Sequence, residues 1–144
     1  MTPATAIDTP LAAFATAAGR RDISSVALRL FLRLTDHWGL DGARRMALLG
    51  DVARPTFQRW KSKIAAGGTV ELSRDQLERI SLCLGIEKAL QLVFADEAAG
   101  QRWLKSANHD LPFAGGIPLE RMTAGGIHAL HQTRRYLDAW RGVR

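Results

Sequence analysis

Met46-Ala-Leu-Leu-Gly-Asp-Val-Ala-Arg-Pro-Thr-Phe-Gln-Arg-Trp60 sets a small residue, a glycine, a β-branched residue and two aromatics in the order that a tight pair of helices requires. Gly50 allows the turn between the helices, and Val52 plugs the angle they make. Phe57, Trp60 and Ile64 recur at the spacing of one helix face and form the inward stripe of the second helix. The first helix is expected from about Gly42 to Leu49. Pro55 opens the second, which runs to Ala65 and is stopped by Gly67-Gly68. The arrangement is a helix-turn-helix.

With that stripe buried, Thr56, Gln58, Arg59, Lys61, Ser62 and Lys63 point outward, on the side of such a helix that enters a DNA major groove. Gln58 and Arg59 can read base edges through paired hydrogen bonds, while Arg54, Lys61 and Lys63 suit phosphates. Neither Ala53 nor Arg54 can cap the helix, so its start rests on Pro55, with Asp51 upstream. Charge follows the motif. From Arg20 to Ala65 there are ten basic and four acidic residues, from Ala66 to Gly100 three and six, and from Gln101 to Arg144 seven and three. A basic block beside an acidic one reads either as a module with a polyanionic partner next to a module without one or as a solvated basic surface; its coincidence with the helix-turn-helix favours the first, with operator DNA as the partner.

Outward from the motif, the pattern predicts an all-α protein. Val26, Leu30, Leu34 and Trp38 repeat every four residues, which predicts a helix begun near Ser24 or Ser25 and closed by Gly39. Ser73-Arg-Asp-Gln76 is a capping box, so a further helix starts there; Gly85 is expected to end it and Ile86 to Ala95 to form another. Thr69 to Leu72 can extend briefly, but no alternation is long enough for a strand. Residues 1–19 read as a mobile arm, too short and too interrupted to span a bilayer, which points to a cytoplasmic protein with no membrane partner. The single cysteine, Cys83, lies in an apolar run and reads as a core residue.

Past Gly100 turn residues crowd into Asn108-His-Asp-Leu-Pro-Phe-Ala-Gly-Gly-Ile-Pro118, where Pro118 preorganises a helix start with Leu119 and Met122 one turn apart, followed by a helix from about Gly126 to Arg141. Ile127, Leu130, Leu137 and Trp140 give that helix an apolar stripe. Neither glycine pair, Gly115-Gly116 or Gly125-Gly126, follows a strand or carries the lysine of a phosphate loop. His128 and His131 have no third ligand at metal spacing, and His37 and His109 are isolated. Asp138 reads as the partner of Arg134 and Arg135 in a surface ion pair. No nucleophile, base and orienting group can be assembled from neighbours, so an enzyme built on the histidines or Asp138 is disfavoured and no cofactor is expected.

The helix-turn-helix resembles the Xre-type DNA-binding domain, a five-helix unit, over about Ser24 to Ala95. The end of the chain resembles the Xre/MbcA/ParS toxin-binding domain over about Ala98 to Arg144. The resemblance lies in Trp103-Leu104, Asn108, the Phe113 to Pro118 stretch, Leu119, Met122, Gly125-Gly126 and the Arg134-Arg-Tyr-Leu-Asp-Ala139 helix. Joined in this order, the two look like the antitoxins of RES-Xre and MbcT-MbcA pairs. That implies an arm at 1–19, a DNA-binding domain at 20–96 and a toxin-binding domain at 97–144. It also implies a cognate RES-domain toxin that degrades NAD, repression of the pair's own promoter, and a homodimer; the antitoxin itself would bind no NAD. Asn108, Phe113, Arg134 and Arg135 are the toxin-binding residues so implied. At the chain's end Tyr136, Trp140, Arg141 and Arg144 gather aromatic anchors and positive charge suited to the same task. The alternative is a free-standing repressor whose last third only dimerises. Two parts with different partners are expected to be separable near Ala99.

Overall fold

Seven helices and no strand account for the described residues, 17–142, of the computed structural model. α1 (Ala17–His37) begins well before the serines expected to start it, so residues 17–19, assigned to the arm, are helical. Residues 1–16, the rest of that arm, and Arg144 lie outside the described residues. Ser24 and Ser25 have another task. Their hydroxyls accept hydrogen bonds from the backbone N–H of Leu72 at 2.9 Å and of Val70 at 3.0 Å. The extended segment at 69–72 thus gains the partners a sheet neighbour would otherwise supply. The buried stripe of α1 is Ser24, Leu28, Phe31, Leu34, Thr35 and Trp38, so Leu34 and Trp38 of the expected face are buried while Val26 and Leu30 are left exposed. Gly39, at φ 75°, closes the helix as the sequence predicts, with the Leu40 N–H bonded back to the Thr35 carbonyl.

α2 (Gly42–Leu48) is capped by Asp41, whose side chain accepts from the Arg44 N–H at 2.9 Å. The chain then reverses through Gly50 and Asp51, both at positive φ, into α3 (Arg54–Ala65). Ala53 makes no capping bond, and Pro55 in the first turn carries the entry, as expected from the sequence. α4 (Arg74–Val93) starts at the Ser73–Gln76 capping box, with both reciprocal bonds formed. It does not stop at Gly85. The two helices expected on either side of that glycine are one helix of 20 residues. Here glycine serves close approach: a Cβ at position 85 would run into the Arg134 guanidinium, which lies across it.

Asp96 then caps α5 (Glu97–Lys105), accepting from the Ala99 N–H at 2.8 Å; this helix the sequence did not reveal. Past the 106–117 loop come α6 (Pro118–Ala124), opened by its proline, and α7 (Gly126–Gly142). α7 packs along α4, and the buried residues form one continuous cluster from Leu28 on α1 to Leu137 on α7. The regions read as 20–96 and 97–144 therefore share a hydrophobic core. Within the described residues no helix is long and apolar enough to cross a membrane.

Candidate functional site

Two surfaces carry the side chains singled out by the sequence. The first is the outer face of α3. Phe57 is buried and Trp60 and Ile64 pack partly against the core, which leaves Arg54, Gln58, Arg59 and Lys63 exposed and Thr56 at the margin. Lys61 is the exception: its ammonium sits 5.5 Å from the centre of the Phe57 ring, so part of its reach is folded back onto the protein. The charges behind this face are paired, Arg44 with Asp41, Arg45 with Asp36 and Arg79 with Asp75. Among the described residues no carboxylate lies within 4.0 Å of Arg54, Arg59, Lys61 or Lys63. A row of unneutralised cations on one rigid helix is what a polyanion would meet. The Arg79–Asp75 pair, at 2.7 Å, also lies under the turn: a Cβ on Gly50 would come within 3.2 Å of Arg79 Nε. Sequence spacing gave no hint of that approach, because it sets α4 against a turn 29 residues earlier.

The second surface is built on α5, the loop after it and α7. Backbone bonds between Asn108 and Gly116 (2.9 Å) and between Gly115 and Asn108 (2.7 Å) cinch the loop, and the Asn108 side chain accepts from the Asp110 N–H. Asn108 therefore ties the loop. Phe113 points inward, 3% exposed, with its ring edge-on to Trp103 at 5.5 Å and to Tyr136 at 5.1 Å. Tyr136 stacks on Trp103 and donates its hydroxyl to Asp110 at 2.7 Å. Burial, and then that carboxylate, push its phenol above the usual range. Arg134 lies over Gly85 and bonds Asp138 at 3.1 Å, forming the ion pair foreseen from the sequence. Phe113, Arg134 and Tyr136, expected to touch a partner, are thus engaged in the protein's own packing.

What remains on the outside is a smaller set. Trp140 is 51% exposed although its ring stands 6.4 Å from Tyr136. Arg135 is exposed, and Arg141, bonded to Asp138, is partly so. Leu92 on α4 and Leu111 at the loop tip, 54% and 82% exposed, were not found from the sequence; each stands two residues from a buried apolar side chain, Leu90 or Phe113, and reads as one more core residue. Asp110 was missed too, since only the fold brings it to Tyr136. His37, isolated in sequence, meets Glu97 at 3.0 Å, and His131 meets Glu78 at 3.6 Å. No three metal-ligating side chains gather among the described residues. Cys83 is fully buried and its thiol is pushed up to about 12, which makes it inert as a nucleophile.

Comparison with known proteins matches these two halves. Residues 17–85 match the antitoxin Xre-like helix-turn-helix domain, and residues 89–142 the antitoxin Xre/MbcA/ParS C-terminal toxin-binding domain. The chain is 38% identical over 115 residues to the uncharacterized protein y4oB of Sinorhizobium fredii, covering 80% of this chain and 84% of that one. No solved structure matches. Neither family domain is enzymatic, and the second is a toxin-binding domain. The chain belongs to the antitoxins that join an Xre-like helix-turn-helix domain to an Xre/MbcA/ParS C-terminal toxin-binding domain, and its partner is a toxin.

Proposed function

We propose that this antitoxin blocks a RES-domain toxin that degrades NAD by laying the end of α7 over its active site, and that as a homodimer it represses its own promoter through α3. The identity of the toxin and the repression rest on the resemblance of the joined domains to RES-Xre and MbcT-MbcA antitoxins. The observation that carries the blocking role is Trp140, half exposed at the end of a helix whose preceding turns are locked against Trp103 and Asp110. A tryptophan and arginines held on a rigid base can dominate the energy of an interface. A pocket shaped for an anionic dinucleotide suits Arg141 and, beyond it, Arg144.

The test pairs two assays on the same variants. Trp140→Ala with Arg141→Ala should restore NAD loss when toxin and antitoxin are mixed at the ratio at which the parent blocks it. Operator binding should be unchanged. Arg59→Ala should do the reverse, weakening operator binding by ~1–3 kcal/mol and relaxing its sequence preference, while the toxin stays blocked. Full inhibition by the Trp140, Arg141 variant would move the blocking surface, most directly to the Asn108–Pro118 loop with its exposed Leu111.

A further inference from the structure

α1 carries an apolar stripe that the rest of the described chain leaves open. Val26 is 53% and Leu30 39% exposed, yet their four-residue spacing continues into Leu34 and Trp38, the pattern that marks a face for burial. Beside Leu30 a groove of about 530 Å³ opens between α1, α4 and the start of α5, lined by Leu34, Leu84, Leu90 and Phe94. Its two rims have opposite charge. Arg33 lines the α1 rim, with Arg29 one turn before it; both are exposed, and no carboxylate lies within 4.0 Å of either among the described residues. Asp96 and Glu97 form the facing rim; the Glu97 side chain is 69% exposed, with His37 of α1 3.0 Å from it across the groove. Glu87, deeper in the groove, already accepts from Trp38 Nε1 at 2.8 Å and from Gln91 at 3.0 Å, so it does not compete for the arginines.

An apolar strip between a cationic and an anionic edge is complementary to itself, because a half-turn brings each edge against its opposite. We propose that a second copy of this chain docks on this face. Leu30 of each copy enters the groove of the other, and Arg29 and Arg33 of each meet Asp96 and Glu97 of the other. The proposal rests on the reading above that the protein meets its operator as a pair, and it names the face that makes the pair. Covering Val26 and Leu30 supplies the hydrophobic gain, and the crossed charges fix the register.

Sedimentation of the full chain decides the matter. The parent should sediment as a dimer, and Leu30→Glu should raise the dissociation constant by about tenfold or more, with unchanged helicity because the side chain is on the surface. Arg33→Glu and Glu97→Arg should each weaken the dimer. The double variant restores the crossed pairs and should recover most of the loss. A monomeric parent, a Leu30→Glu dimer as tight as the parent, or a double variant no tighter than either single one overturns the proposal. So does a dimer lost on removing residues 1–16 but indifferent to Leu30→Glu, which would assign the cover to that segment. Failure of the functional reading shows separately, as a parent dimer that binds neither operator nor toxin.

Discussion

Single glycines divide here between those whose missing side chain is required and those whose is not. At Gly125 a Cβ would lie 2.6 Å from the Ala129 Cβ and 2.9 Å from the Arg121 carbonyl oxygen, both held by helix backbone that cannot yield. Gly125→Ala should therefore destabilise the protein by about 1–3 kcal/mol through overpacking. Gly42 opens α2 at ordinary helical dihedrals with nothing within 4 Å of the position its Cβ would take. Gly42→Ala should stabilise by about 0.4–1 kcal/mol by narrowing the unfolded ensemble. Denaturant midpoints of the two variants, one below and one above the parent, check both statements. Gly50 was legible as a turn because glycine tolerates a φ of 89°. Gly85 was not: in sequence a glycine that admits a neighbour's arginine looks the same as one that ends a helix.

Among the elements, those with local causes were read correctly. The capping box before α4, the proline entries of α3 and α6 and the Gly39 end of α1 each depend on residues a few positions apart. Where distant contacts decide, the sequence was silent or misled. Ser24 looked like a helix cap, yet it lies inside α1 and holds the Leu72 N–H from 48 residues away. Removing its hydroxyl leaves a buried donor without that acceptor. Ser24→Ala should lower stability by about 1–3 kcal/mol, and Ser25→Ala, at a less buried site, by less. Amide exchange at Leu72 should quicken in the first variant far more than in the second; equal protection in both would mean the hydroxyl does not hold that segment. The α1 stripe was read half correctly for a related reason. Its four-residue repeat is real and Leu34 and Trp38 are buried, but in the first half of the helix the monomer's core takes Ser24 and Leu28 on the neighbouring face instead of Val26 and Leu30.

At the scale of the whole molecule, division into two parts describes partners rather than stability. Glu78, Leu82, Gly85 and Ala89 lie on one stripe of α4, and α7 covers that stripe through His131 and Arg134. A fragment ending at Ala99 would expose Leu82 and Ala89, buried in the full chain, and lose Leu119, Met122, Leu130 and Leu137 from the shared cluster. Set against a typical stability of about 5–15 kcal/mol, that loss is decisive. The fragment should show no cooperative thermal transition by circular dichroism, and its operator affinity should fall with its helicity. A melt as sharp as the parent's would restore the picture of separable domains suggested by the sequence. The same α4 also lies against the Gly50 turn, where its Arg79–Asp75 pair leaves little room for a side chain at position 50. One rod thus carries the fittings for both ends, and clipping by a protease anywhere along α7 would loosen the recognition helix as well. On the reading proposed here, destruction of the inhibitor and release of its promoter would be a single event, with no intermediate in which one persists without the other.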